Sequence, residues 1–122
     1  MLRSLLVVLV AAVVPVSIGN AASVTAKAPA KLQGTIGPGF TISLKNAQGK
    51  AVKTIKHGKY TLVVQDKADI HNFTINGPGT KNKMVTGTSF VGKKSVTVTL
   101  KKGSYRYFCT VHPEVTGTLK VT

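Results

Sequence analysis

The sequence predicts an all-β domain, built as a two-sheet antiparallel Greek-key sandwich and preceded by an export signal. From Leu32 onward, short segments rich in β-branched residues are separated by Gly, Pro and Asn, and no stretch has a helical period. Several segments alternate apolar and polar residues, as at Val96, Val98 and Leu100, which is typical of a strand with one buried face. The expected strands are residues 32–36, 40–46, 52–55, 60–66, 71–76, 88–91, 95–101, 105–109 and 117–122.

The N-terminal residues have the composition of a secretory signal peptide. Arg3 supplies a positive charge, an apolar run spans 5–16, and small residues follow up to a cleavage position after Ala21. A retained membrane anchor is the alternative, but the run is shorter than the roughly 20 apolar residues with which a helix crosses a bilayer. The expected organisation is a signal peptide at 1–21, a flexible leader at 22–31 and one domain at 32–122.

The chain is strongly basic: it has 122 residues, 17 Lys and Arg, 3 Asp and Glu, and a formal charge of +14. Cleavage of the signal removes only Arg3 from this count and leaves +13. The positive electrostatic potential that this charge creates attracts an acidic redox protein or an anionic cell-envelope surface. The Lys residues are scattered, without stacking aromatics beside them, which argues against nucleic acid as a partner. We expect an exported monomer, secreted, periplasmic or on the cell surface, with no stable membrane insertion after cleavage.

The single cysteine, Cys109, needs an explanation in an exported protein. It has no partner for a disulfide within the chain, so it pairs between chains, fills a core position or binds a metal. His112 follows three residues later across a turn, and His71 heads another expected strand. Two His and one Cys form the ligand set of copper sites that transfer electrons. The third histidine, His57, lies in a separate turn and is expected to be solvated.

The residues around these side chains resemble the cupredoxins, the small exported type 1 copper proteins, and particularly the short bacterial plastocyanin-like domains. The resemblance covers residues 34–122 and lies in HNF at 71–73, GSYRYFC at 103–109 and CTVHP at 109–113. It implies one copper ion that alternates between Cu(I) and Cu(II), with Asn72 tying the two ligand loops together and donating toward the thiolate sulfur. The equatorial ligands that it implies are His71, Cys109 and His112.

The axial position departs from the family pattern. Where the short-loop form of the family has an axial Met, this chain has Val115, which offers no donor atom. The site is then expected to be three-coordinate or nearly so, with the backbone carbonyl of Ile70 as a weak extra contact. Glu114 is the alternative, because its carboxylate could reach the metal and make a harder site. Met84 is a further possible donor, although packing explains it without a role.

The function predicted from these features is one-electron transfer, not catalysis. The chain has three acidic residues and shows neither a His–carboxylate pair nor a second copper cluster, so an enzyme is not expected. Two alternatives remain open: copper sequestration, for which more than two Met would be expected, and a metal-free β-sandwich binding module on the cell surface.

Overall fold

The computed structural model describes residues 11–15 and 28–122. The signal peptide and cleavage position predicted within 1–21, and most of the leader predicted at 22–31, lie outside the described residues and stay predictions. Nine strands are found in the part of the chain that is described, and none of its residues forms a helix able to cross a membrane. The strands are β1 (Ala30–Ile36), β2 (Ile42–Asn46), β3 (Thr54–Ile55), β4 (Gly58–Asp66), β5 (Phe73–Gly77), β6 (Thr80–Thr86), β7 (Gly92–Leu100), β8 (Gly103–Phe108) and β9 (Thr116–Val121).

The strands form two sheets, which confirms the predicted all-β sandwich. One sheet has the order β2-β1-β4-β7 and the other the order β3-β9-β8-β5-β6. Most strand pairs are antiparallel, as predicted, but β1 pairs with β4 in parallel and β3 pairs with β9 in parallel, so both sheets are mixed. The alternation of side chains reveals which face of a strand is buried, but it carries no information about the direction of the neighbouring strand.

The core lies between the inner faces of the two sheets. At one point the sheets approach so closely that a side chain is excluded: a Cβ on Gly34 of β1 would lie 2.8 Å from the ring of Phe73 on β5. Phe73 in turn stacks on Tyr107 with ring centroids 5.8 Å apart. The buried core residues are Leu32, Ile36, Leu44, Leu62, Val64, Phe73, Ile75, Val85, Val98, Leu100, Tyr105, Tyr107, Cys109, Val115, Leu119 and Val121.

One strand was assigned to the wrong residues. The segment 88–91 is a turn, closed by the Phe90 amide donating to the Gly87 carbonyl at 3.0 Å, and β6 lies before it at Thr80–Thr86. This strand was missed because it is at the edge of its sheet and mostly exposed, so its sequence TKNKMVT lacks the alternation of a half-buried strand. Exposed lysines on an edge strand also discourage pairing with another chain.

Two strand ends differ from the prediction. β2 begins at Ile42, so Phe40 lies outside the strand in a loop that the Gly37 amide closes by donating to the Thr41 carbonyl at 2.9 Å. β1 begins at Ala30, within the predicted leader, because its first residues pair with the start of β4.

The turns at one end of the sandwich are joined by Tyr105. Its buried ring packs on Gly77, and its hydroxyl donates to the Pro78 carbonyl while accepting from the Lys101 amide at 2.9 Å. We call this end the Tyr105 end. The candidate metal-binding side chains lie at the opposite ends of the same strands.

Candidate metal centre

Two loops at one end of the sandwich bring the predicted ligand residues together. His71 lies just before β5 and Cys109 just after β8, and the antiparallel pairing of these strands places the two positions side by side. His112 lies in the turn between β8 and β9. Each of the three side chains offers one ligand atom, and these three atoms all lie within 4.8 Å of one another. The sequence therefore predicted a set of side chains that the fold does assemble.

The three donor atoms face one another at short distances. The Nδ1 atoms of His71 and His112 are 3.2 Å apart, and Nδ1 of His112 is 3.8 Å from Sγ of Cys109. His71 and Cys109 are fully buried, whereas His112 is partly exposed. The separation of the two imidazole nitrogens is within hydrogen-bond distance. Two imidazole nitrogens and a thiolate suit a soft or borderline metal such as copper.

The loop that carries Cys109 and His112 is held by its own backbone. The Cys109 amide donates to the Val115 carbonyl at 3.0 Å, and the Val115 amide donates to the His112 carbonyl at 2.8 Å. Outside the loop, the Arg106 guanidinium donates to the Pro113 carbonyl at 2.8 Å. Val115 is buried at 3% exposure, so the side chain in the predicted axial position is excluded from solvent. Its neighbour Glu114 is exposed and lies outside the group of converging ligand atoms.

Asn72 connects the segments around the site. Its backbone amide donates to Sγ of Cys109 at 3.4 Å, and its side-chain oxygen accepts from the Thr110 amide at 3.1 Å. Its side-chain nitrogen donates to the Thr110 hydroxyl at 2.7 Å and to the Thr88 hydroxyl at 3.1 Å. The Thr74 hydroxyl completes the set by donating to the Asn72 oxygen at 2.8 Å. These contacts join both ligand loops and a third loop, and the contact with Thr88 was missed because 88–91 was predicted to be a strand.

Two buried polar atoms at this end lack a hydrogen-bond partner. They are Nε2 of His71 and Oδ2 of Asp66, the only such side-chain atoms among the described residues. The other oxygen of Asp66 accepts from the Ala68 amide at 3.2 Å. Burial raises the pKa of the Asp66 carboxyl, and the Thr86 hydroxyl, the Ala68 amide and the neighbouring His71 partly offset that rise. Unsatisfied polar atoms therefore collect beside His71.

Phe40 makes a contact with the site that its sequence pattern does not predict. Its ring meets the ring of His71 edge to face, with centroids 5.4 Å apart, and the ring of His112 in the same way at 5.0 Å. The alternation of Phe40 with Ile42 and Leu44 favoured a strand position. The turn residues at 37–39 directly before Phe40 were the signal that could have placed it in a loop.

The remaining candidate residues lie outside the cluster. His57 is exposed, as predicted, and its Nδ1 lies 2.9 Å from the Thr122 carbonyl oxygen. Met84 lies on β6 with half of its side chain exposed, and Ile70 is 45% exposed in the turn before His71.

Together, the two-sheet sandwich and the His–Cys–His group at the ends of its strands define a cupredoxin fold. No family model and no curated protein matches the sequence. Solved structures do match: the copper protein rusticyanin has 19% identity and a TM-score of 0.51, over 75% of this chain and 76% of that chain. A structure of reduced rusticyanin has 21% identity and a TM-score of 0.51, over 75% of this chain and 78% of that one. A purple cupredoxin from Nitrosopumilus maritimus has 20% identity and a TM-score of 0.44, over 74% and 98% of the two chains. At these identities, the likeness to rusticyanin shows a shared fold.

Proposed function

We propose that this protein is an exported type 1 copper protein that binds one copper ion through His71, Cys109 and His112 and carries one electron at a time. The observation that carries the proposal is the convergence of their donor atoms within 4.8 Å at one end of the sandwich. Copper suits this donor set better than a hard cation, which would need oxygen ligands. The rusticyanin likeness supports the proposal through the fold alone.

When bound, copper supplies a one-electron couple, and the chain's own residues keep its surroundings nearly constant in both oxidation states. Cys109 provides a thiolate whose sulfur accepts from the Asn72 amide at 3.4 Å. The backbone hydrogen bonds of Val115 fix the loop, so the ligands need little rearrangement when the charge changes. His112, the partly exposed member of the set, offers the shortest route for an electron to reach the surface.

For the axial position, the proposal is an apolar side chain, Val115, with the Ile70 carbonyl as the weak extra contact. A thioether in place of Val115 would donate electron density and stabilise Cu(II) relative to Cu(I). Val115→Met should therefore lower the reduction potential, whereas Glu114→Gln should change it little. A strong rise in potential in Glu114→Gln, with a shift of the spectrum toward an ordinary blue site, would assign the carboxylate as a ligand instead.

The partner we propose is an acidic redox protein or an anionic surface of the cell envelope, met by a monomer outside the cytoplasm. The chain's excess of basic residues supports this assignment, because it attracts negatively charged partners. The electron-transfer rate with an acidic acceptor should fall as ionic strength rises, since the Debye length shrinks from about 10 Å at 0.1 M to about 3 Å at 1 M. An electron-transfer rate that does not change with ionic strength would show that electrostatic attraction does not guide the partner to this protein.

The decisive experiment is reconstitution of the purified protein with Cu(II), followed by visible absorption and EPR spectroscopy. We expect one equivalent of copper, an intense thiolate charge-transfer band and reversible bleaching on reduction. Copper that binds without this band would favour sequestration, and no binding would favour a metal-free module.

Intact mass of the exported protein tests the predicted processing, which should give a chain that begins near Ala22.

A further inference from the structure

Phe40 combines high exposure with specific contacts to the candidate ligands. Its side chain is 62% exposed, yet its ring packs edge to face on His71 and on His112. The two histidine rings also meet each other nearly at right angles, with centroids 4.9 Å apart. Phe40 is therefore the third ring of a compact cluster whose other two members are the candidate nitrogen ligands.

The backbone around Phe40 is held in place on the site. The Gly37 amide donates to the Thr41 carbonyl at 2.9 Å and closes the loop, and the Lys67 amide donates to the Ile36 carbonyl at 2.9 Å. Gly37 lies so close to the His71 loop that a Cβ there would be 3.3 Å from Cδ2 of the His71 ring. The position of Phe40 over the histidines thus follows from fixed backbone contacts.

His112 needs support that His71 does not. His71 is fully buried, whereas His112 is partly exposed and lies in a turn. Besides its contacts with the His71 ring and the Cys109 sulfur, the His112 ring meets the ring of Phe40 edge to face. The Cys109 sulfur, which is fully buried, lies 3.8 Å from Nδ1 of His112. Movement of the His112 ring would therefore open a path to the thiol.

We infer that Phe40 is a positioning residue that holds the His112 imidazole against the other two side chains and so limits how fast metal leaves the site and how fast solutes reach Cys109. The part that concerns the metal rests on the proposed function, whereas the part that concerns the thiol does not.

The first experiment measures copper loss. The reconstituted protein is mixed with an excess of a copper chelator, and decay of the charge-transfer band is followed in wild type, Phe40→Ala and Phe40→Tyr. The loss of two aromatic edge contacts corresponds to about a tenfold faster decay in Phe40→Ala. Phe40→Tyr should restore the wild-type rate, because it keeps the aromatic edge. Val91→Ala is the matched control, because Val91 is an apolar side chain of similar exposure, 58%, in a different loop.

The second experiment uses the metal-free protein and needs no copper. The rate at which iodoacetamide alkylates Cys109 is measured by mass spectrometry for the same variants and for Tyr105→Phe. That last variant is destabilised at the far end of the sandwich, so it reports how much alkylation follows from unfolding alone. Phe40→Ala should react about tenfold faster than wild type, because the energies of aromatic pairs are of this size. It should also react clearly faster than Tyr105→Phe.

The outcomes separate the two proposals. Equal alkylation rates in Phe40→Ala and wild type, or a rate no higher than that of Tyr105→Phe, would overturn the role of Phe40. If wild type shows no charge-transfer band but Phe40→Ala still exposes the thiol, the copper assignment fails and the positioning role holds. Copper loss that is equally fast in Phe40→Tyr and Phe40→Ala would also overturn the role, because the aromatic edge would then be irrelevant.

Discussion

The two ends of the sandwich differ in how completely their buried polar side chains are hydrogen-bonded. At each end, a buried polar side chain links several turns: Tyr105 at one, Asn72 at the other. In the described residues, the Tyr105 end leaves no buried side-chain polar atom without a partner, whereas the Asn72 end leaves Nε2 of His71 and Oδ2 of Asp66 unpaired. The Asn72 end also directs three metal-binding atoms at one point.

This contrast indicates that the Tyr105 end serves stability alone, whereas the Asn72 end also serves a function. Folding alone favours saturated hydrogen bonds, because an unpaired buried polar group costs about 1–3 kcal/mol. A region that retains such groups, and places a thiol beside two imidazoles, departs from what stability alone would select. Substitutions at the two ends should therefore differ in kind: those at the Tyr105 end should change stability only, and those at the Asn72 end should also change the spectrum.

The largest effect is expected from Cys109→Ser. Loss of the sulfur removes the ligand responsible for the charge-transfer transition, so the visible band of the copper-loaded protein should disappear entirely. His57→Ala is the control and should keep the band, because His57 contacts the chain terminus and not the site. An equal loss in His57→Ala would show that the wrong histidine was assigned.

Asn72→Ala should have the largest effect on stability. It removes four side-chain hydrogen bonds and leaves the buried Thr74 hydroxyl unpaired, which we expect to lower the free energy of unfolding by about 3 kcal/mol. The spectrum should shift as well, because the loop that carries Cys109 loses its anchor. Urea unfolding of the metal-free protein measures the first effect, and visible absorption measures the second. An unchanged spectrum would show that Asn72, like Tyr105, affects stability alone, and would contradict the proposed difference between the two ends.

Tyr105→Phe should have a smaller and purely structural effect. The ring still fills its place beside Gly77, but the Pro78 carbonyl and the Lys101 amide lose their shared partner. We expect a loss of about 1–2 kcal/mol in the free energy of unfolding, measured in urea, with the copper spectrum unchanged. A spectral shift in this variant would mean that the two ends are coupled through the strands.

The smallest effect concerns Tyr60, near the start of β4. Burial raises the pKa of its phenol above the ordinary value of 10.0, and its hydroxyl donates to the Lys56 carbonyl at 2.6 Å. Because the folded-state pKa is the higher one, the neutral phenol is favoured in the fold, and its contribution is fully present below pH 10. That contribution is lost as pH rises through the folded-state pKa. Urea unfolding between pH 9 and 11 should show this decline in wild type and a weaker one in Tyr60→Phe, with no spectral change near neutral pH.

Much of the candidate site could be predicted from the sequence because it depends on local features. The Cys109 and His112 pair lies in one short loop, so its spacing is visible in the chain, and His71 heads another expected strand. The resemblance to cupredoxins then implied that all three are ligands. The structure assembles these three side chains as expected. By contrast, Phe40 and Thr88 reach the site from loops that are distant in sequence, and both had been assigned to strands.

By itself, the sequence determined that this chain forms a β-sandwich, because alternating apolar residues record which face of each strand is buried. It also determined the chemistry available at the site, because that depends on the identity of three side chains. Only the tertiary structure decided the two parallel strand pairs, the edge strand β6 and the placement of Phe40 over the histidines. The physical reason is that a two-residue period specifies the buried face of a strand but not its neighbours, and an exposed side chain leaves no periodic signal of what it contacts.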